Sequence, residues 1–279
     1  MNDPKPDMPS PLLQISHLTK SYPKVVALDD ISLALAAGEI HAVLGEEYAG
    51  KTTLLRILGG LEKPGSYAGE ILLDGQPLAL KNPRQAIDHG IAIVPRRLQL
   101  FDHLTLAENI CVGHLPGKGL MIDNAAIERQ ARQALDLLEL RLDPAARPPQ
   151  LSPAQQRMVM IARAVSLRPR LVVMDEPTAS LNAAEALGSL IRAIRVLSAH
   201  EIGVLYLTRR SSEVLQVADR ASILRDGAIA GTFERAAFDE RVLKDLMASQ
   251  QYRDFGHADD DEEPRGLDRW LRTVFSGWR

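Results

Sequence analysis

Short apolar runs rich in branched residues alternate along this chain with longer segments whose apolar positions recur every three to four residues. Leu12–Ile15, Ile40–Leu44, Glu70–Leu73, Ile91–Val94, Leu171–Met174, Gly203–Leu207 and Ala221–Leu224 predict strands. Thr52–Leu58, Ala125–Leu140, Pro153–Leu167, Ala183–Leu197 and Arg241–Ala248 predict helices. This alternation is what a mainly parallel sheet covered by helices requires, so the expected class is α/β. Residues 12–44 and 70–80 crowd several short strands around turns such as Asp74-Gly75, which predicts an antiparallel β subdomain beside the parallel core. A helical subdomain is expected over about 98–168, with a Pro/Gly break at Leu115–Gly119. No internal repeat is visible.

The two ends differ from the body at 12–250. Residues 1–11 carry Pro4, Pro6 and Pro9 among polar residues and read as a disordered leader. Residues 251–279 begin as a linker with five consecutive acids, Asp259–Glu263. Beyond them Leu267, Trp270, Leu271, Val274, Phe275 and Trp278 share one helical face. Such an amphipathic helix docks on its own domain, on a partner or on a membrane surface.

Composition narrows the function more than the fold. The 279 residues are 46% hydrophobic and 25% charged, which suits a globular chain with a sizeable core. Thirty-three Lys and Arg against thirty-six Asp and Glu leave a net charge of −3, which argues against a nucleic-acid partner. Cys111 is the single cysteine, so an intrachain disulfide and a Cys-rich metal site are both excluded. No apolar run approaches the roughly 18 residues that span a bilayer, and the N-terminus does not resemble a secretory signal. The expectation is a soluble, cytoplasmic protein.

The chemistry is concentrated in two motifs. Gly45-Glu46-Glu47-Tyr48-Ala49-Gly50-Lys51-Thr52 satisfies G-x-x-x-x-G-K-[ST] between a predicted strand and a predicted helix. Consecutive backbone N–H groups and a helix N-terminus concentrate positive charge on a polyphosphate. Lys51 reaches the outer phosphates and the Thr52 hydroxyl is a ligand for Mg²⁺. The second motif is the apolar strand Leu171–Met174, which ends in Asp175-Glu176-Pro177-Thr178. One acid there holds the metal and the other polarises water; the bland alternative is two solvated acids in a turn. Together the motifs point to a nucleotide-binding domain.

Between them Leu151-Ser152-Pro153-Ala154-Gln155-Gln156-Arg157 precedes a helix leading to the Asp-Glu strand. It resembles the LSGGQ signature of ATP-binding cassette (ABC) proteins. Residues 90–113, 119–123 and 217–227 resemble, more narrowly, the ATPase subunit of ribose- and galactose-type sugar importers. That resemblance implies a P-loop core of the ABC type with an antiparallel β and a helical subdomain, binding ATP with Mg²⁺. It implies nucleotide contacts from Gly45, Glu46, Glu47, Tyr48, Ala49, Gly50, Lys51, Thr52 and Thr53, with adenine stacked on Tyr22. The metal falls to Thr52 and Asp175, and Glu176 is catalytic. It also implies head-to-tail pairing with a second cassette through Ser152, Ala154 and Gln155. Transmembrane permease subunits then hold the protein at the inner face of the cell membrane.

Several positions depart from the family's pattern. Glu47 stands where asparagine is usual and Tyr48 where glycine is usual, which risks a strained backbone if φ is positive. Arg96 replaces the glutamine near metal and water, and Arg209 replaces the histidine that contacts the terminal phosphate; His200 lies at the wrong end of its strand to substitute. Ala154 and Asn182 replace a glycine and an aspartate. Arginine offers no lone pair to a metal but binds phosphate, so Arg96 and Arg209 either clamp the nucleotide or point to solvent in a decayed site. The favoured expectation is a nucleotide-binding pseudo-ATPase half, paired with another cassette. The alternatives are a conventional ATPase driving sugar uptake and a soluble ABC protein outside transport.

Overall fold

The computed structural model describes residues 11–118, 121–179 and 184–247. Residues 1–10 of the expected leader at 1–11, the linker and helix at 251–279, and Asn182 lie outside the described residues.

Two sheets carry the fold. The first holds β1 (Leu13–Tyr22), β2 (Val25–Leu35), β4 (Ala68–Leu73) and β5 (Gln76–Pro77), ordered β2-β1-β4-β5 and antiparallel throughout. The second holds β3 (Ile40–Leu44), β6 (Ile91–Val94), β9 (Leu171–Asp175), β10 (Gly203–Thr208), β11 (Arg220–Arg225) and β12 (Ala228–Glu234). Its order is β12-β11-β3-β10-β9-β6, with only β12 antiparallel to its neighbour. β3, β6 and β10 are buried at every position, which is why they read as unbroken apolar runs. Edge strand β12 alternates exposed with half-buried positions instead.

Between β6 and β9 the chain forms α3 (Leu106–Cys111), α4 (Asn124–Leu137) and α5 (Pro153–Ser166), with a two-stranded ribbon, β7 (Gly117–Lys118) and β8 (Met121–Ile122), before α4. The helices share a core that includes Ile110, Ala131, Leu135, Val159 and Ile161. α1 (Lys51–Leu58), α2 (Pro83–Asp88), α6 (Ala184–Ala199), α7 (Ser211–Val217) and α8 (Glu240–Met247) complete the described helices.

Three sequence expectations need correction. The first strand runs on to Tyr22, past a register shift after Ile15 that breaks the pattern. The helix expected to reach Leu140 ends at Leu137, because Glu139 adopts a left-handed φ of 55°. β12 and α7 were not anticipated as separate elements: one alternates weakly and the other is a short, largely polar segment.

The sheets are fastened through the loop after β3. The Gly227 N–H donates to the Ala49 carbonyl at 3.2 Å, and the Asp29 N–H donates to the Gly227 carbonyl at 2.8 Å. A β-carbon on Gly50, whose φ is 112°, would stand 2.4 Å from the Ala27 carbonyl. Backbone of β2 therefore touches the loop directly.

Candidate functional site

The loop from Gly45 to Gly50 links the buried end of β3 to the start of α1. The Gly45 N–H donates to the Thr208 carbonyl at 3.1 Å, and a β-carbon there would lie 2.4 Å from the Leu224 carbonyl. Only glycine fits between these neighbouring strand ends. Tyr48 takes a φ of 64°, a conformation costing a non-glycine residue about 1 kcal/mol. It is 76% exposed, so its ring projects out of the loop instead of filling it.

Lys51 is buried at the first position of α1. Its Nζ donates to the Gly45 and Glu46 carbonyls at 2.6 and 2.7 Å. Burial lowers its pKa, against the opposing pull of Glu176, Asp175, Glu46 and Glu47. Thr52 is exposed at the helix start, whereas Thr53 is buried.

β9 delivers the two acids. Burial, then the Glu176 charge, push the Asp175 carboxyl up to about 6. Glu176 turns the chain with a φ of 39°, and its N–H donates to the Leu207 carbonyl at 2.9 Å. Two guanidinium groups close on its carboxylate. Arg96 Nε lies 3.4 Å and Arg209 Nε 3.6 Å from Glu176 Oε2, and Arg209 Nη1 lies 4.0 Å from Glu47 Oε2. The arginine side chains are 43% and 42% exposed, so bound anions have access to them. The sequence alternatives, a phosphate clamp or a pair of solvated arginines, both omitted this arrangement, in which each cation is anchored on the acid between them.

Other groups escaped sequence reasoning because their charges read as solvated. Glu213 on α7 is only 2% exposed. It accepts hydroxyl hydrogen bonds from Thr178, from Tyr206 at 3.0 Å and from Thr208 at 2.8 Å. It thereby ties together the turn after Glu176 and the strand before Arg209. On β1 the Tyr22 hydroxyl donates to Glu62 at 3.0 Å, and Lys20 Nζ sits 4.8 Å from the Tyr22 ring centroid. Burial pushes the Glu62 carboxyl upward, but hydrogen bonds from Lys20, Arg56 and Tyr22 bring it below its ordinary value.

The Ser152 segment caps α5. The Ser152 hydroxyl accepts from the Gln155 N–H at 3.3 Å, while the Gln155 side chain accepts from the Ser152 N–H at 2.9 Å. This reciprocal pair satisfies donors that a helix start leaves open. Ser152 and Gln155 are exposed and Ala154 is half-buried, so the helix start is available at the surface. Five residues on, Arg157 is fully buried.

Comparison with known proteins identifies this arrangement. The sequence pattern of the ABC transporter family matches residues 28–179, which include the glycine loop, the Ser152 segment and both acids. The chain belongs to the ABC transporter family. Among its ABC relatives, a putative ribose/galactose/methyl galactoside import ATP-binding protein of Albidiferax ferrireducens is 38% identical over 92% of this chain and 52% of its own length. A ribose import ATP-binding protein of Burkholderia pseudomallei is 39% identical over 98% of this chain and 53% of its own. The chain thus spans about half the length of the curated relatives it matches. Two solved structures share the ABC fold. An ATP-binding cassette in its ADP conformation has a TM-score of 0.73 at 21% identity, covering 94% of this chain and 98% of its own. A dimeric bacterial transporter cassette has a TM-score of 0.67 at 24% identity, covering 81% and 100%.

Proposed function

We propose that this chain is the ATP-binding subunit of an ABC import system for a ribose- or galactose-class sugar, and that its own site holds nucleotide more readily than it hydrolyses it. The sugar class follows the named function of the relatives, and the nucleotide site follows the chemistry of the loop. Backbone N–H groups from Glu46 to Thr53 and the Lys51 ammonium take the phosphates. Tyr22, whose hydroxyl is held by Glu62, is read as the residue that stacks on the base. The body at 12–250 is read as the cassette, with a helical subdomain over about 98–168.

Thr52 and Asp175 are the oxygen donors expected of a P-loop Mg²⁺ site, since this ion takes one or two protein oxygens and leaves the rest to water and phosphate. Mg²⁺ supplies charge neutralisation at the phosphates. Arg96 contributes no third donor, because guanidinium has no lone pair. Among the described residues no cluster of three His, Cys, Asp or Glu is placed to hold a metal.

The observation that carries the reading is the contact of Arg96 and Arg209 with Glu176. Two guanidinium groups against one carboxylate oxygen occupy the position from which that carboxylate would orient a water. An arriving terminal phosphate competes for the same guanidinium groups, which favours retention of the nucleotide. Ser152, Ala154 and Gln155 remain available to complete the site of a second cassette. The complex is then held by permease subunits at the inner face of the membrane; none of the described helices is long and apolar enough to cross it.

The test is binding of a fluorescent ATP analogue together with phosphate release by the purified chain, with and without Mg²⁺. Tight binding with negligible release, little changed by removing Mg²⁺, supports the retaining site. Release near 1 s⁻¹, within the ordinary enzyme range, makes the subunit a conventional transport ATPase. No binding overturns the nucleotide reading altogether.

A further inference from the structure

The segment carrying Arg96 is attached to α5 by buried cations. Arg157, fully enclosed, donates through Nη1 to the Pro95 carbonyl at 2.5 Å and through Nη2 to the carbonyl of Arg96 itself. Further along α5, Arg163 donates to the Gln99 carbonyl at 2.9 Å and to the Asn109 carbonyl at 2.7 Å. The backbone from Pro95 to Gln99 is therefore held at both ends by side chains of the helix that Ser152 caps. Burial lowers the Arg157 pKa to about 10, which leaves it charged at neutral pH, and its charge also reaches Asp175. A buried charge is tolerated only where strong acceptors meet it, and here the acceptors are the two peptides just after β6.

We infer that Arg157 is a positioning residue: by gripping the Pro95 and Arg96 carbonyls from α5, it sets Arg96 against Glu176 and so controls whether that carboxylate is free. The consequence for turnover rests on the reading of Arg96 as a restraint on Glu176; the positional role does not. An arginine suits this task because two parallel donors fix both the place and the orientation of the peptides, where a lysine's single ammonium fixes place alone. The start of the same helix is exposed, so contact made at Ser152 is mechanically continuous with the Arg96–Glu176 pair.

The test uses Arg157→Met, Arg157→Lys, Arg96→Met and the double variant Arg157→Met/Arg96→Met in the full chain. Crystal structures supply the first readout. Arg96 withdrawn from Glu176 in Arg157→Met is the expected result, and an Arg96–Glu176 contact unchanged from 3.4 Å overturns the positional role. If the methionine variant does not fold, the lysine variant carries this test, with Arg96 expected displaced or in more than one orientation and an unmoved side chain overturning the role.

Phosphate release supplies the second readout. Arg96→Met and Arg157→Met are each expected to raise it about tenfold, and the double variant no further, because both act on one contact. A purely structural role lowers release and multiplies with the Arg96 change, which would also overturn the inference. If Arg96→Met leaves release unchanged while Arg157→Met displaces Arg96 in the crystal, the positioning role stands and the restraint on Glu176 falls.

Discussion

Two glutamates stand near the C-terminal ends of β9 and β10, and they are held in different ways. Glu213 is enclosed and meets three hydroxyls, from Thr178, Tyr206 and Thr208, with Arg210 at 3.4 Å from its rim. Glu176 lies nearer the surface and meets Arg96 and Arg209, both more than two-fifths exposed. Hydroxyls held by packed strands cannot leave without leaving a buried charge behind. The guanidinium groups on Glu176 reach solvent although the carboxylate itself is buried, so an arriving anion has access to them. The first carboxylate is therefore a fixed part of the framework, and the second sits among contacts that an anion from solvent can reach.

The largest effect should come from breaking the fixed member. Glu213→Ala is expected to cost about 4 kcal/mol of unfolding free energy, measured by urea denaturation, since three buried hydroxyls lose their acceptor. A loss below about 1 kcal/mol would erase the distinction between the two glutamates. A group on another part of the fold, His114 after α3, shows whether these strand ends alone govern acid behaviour. Burial pushes His114 down to about 4 from an ordinary 6.5, with Arg163 and Arg84 adding to the shift. The unfolded chain then takes up a proton that the native chain refuses, so stability is complete above pH 6.5 and falls as pH drops towards 4. The difference amounts to as much as about 3 kcal/mol, and it should vanish in His114→Gln.

The accessible set of contacts is probed by its ligand. Lys51→Ala is expected to weaken binding of a fluorescent ATP analogue at least about a hundredfold, roughly 2.7 kcal/mol, with the melting temperature little changed. Unaltered affinity in a titration would mean that the loop does not hold phosphate. The smallest effect belongs to Arg209→His, which removes one of the two cations on Glu176. Phosphate release should rise about tenfold, equivalent to about 1.4 kcal/mol of barrier. No rise would place the brake at Arg96 or at Tyr48.

How much of this was legible beforehand varies with how each feature is encoded. β3, β9 and β10 were visible because strands buried on both faces must be continuously apolar. The glycine loop was visible because Gly45 and Gly50 meet backbone atoms of other strands that no β-carbon could avoid. The full length of β2 was not, since Val25–Leu35 faces solvent along one side and carries Asp29 and Asp30 in its middle. Glu213, Arg157 and Glu62 were missed for one reason: a charged residue is ordinarily solvated, and burial of these three is decided by partners on other elements of the fold. Arg96 and Arg209 were marked as departures, but their meeting at Glu176 depends on the order β10-β9-β6, which brings the ends of separate strands together.

The backbone relay from Ala49 through Gly227 to Asp29 carries one more implication. Amide hydrogens in such a relay exchange with solvent only when the relay opens. A ligand that stiffens the phosphate loop will therefore slow deuterium uptake at Asp29 and Gly227, two positions outside the motif itself. β5, at the opposite border of the antiparallel sheet, should keep its own pace. Occupancy of the loop would thus be recorded in the labelling kinetics of a strand from the other sheet.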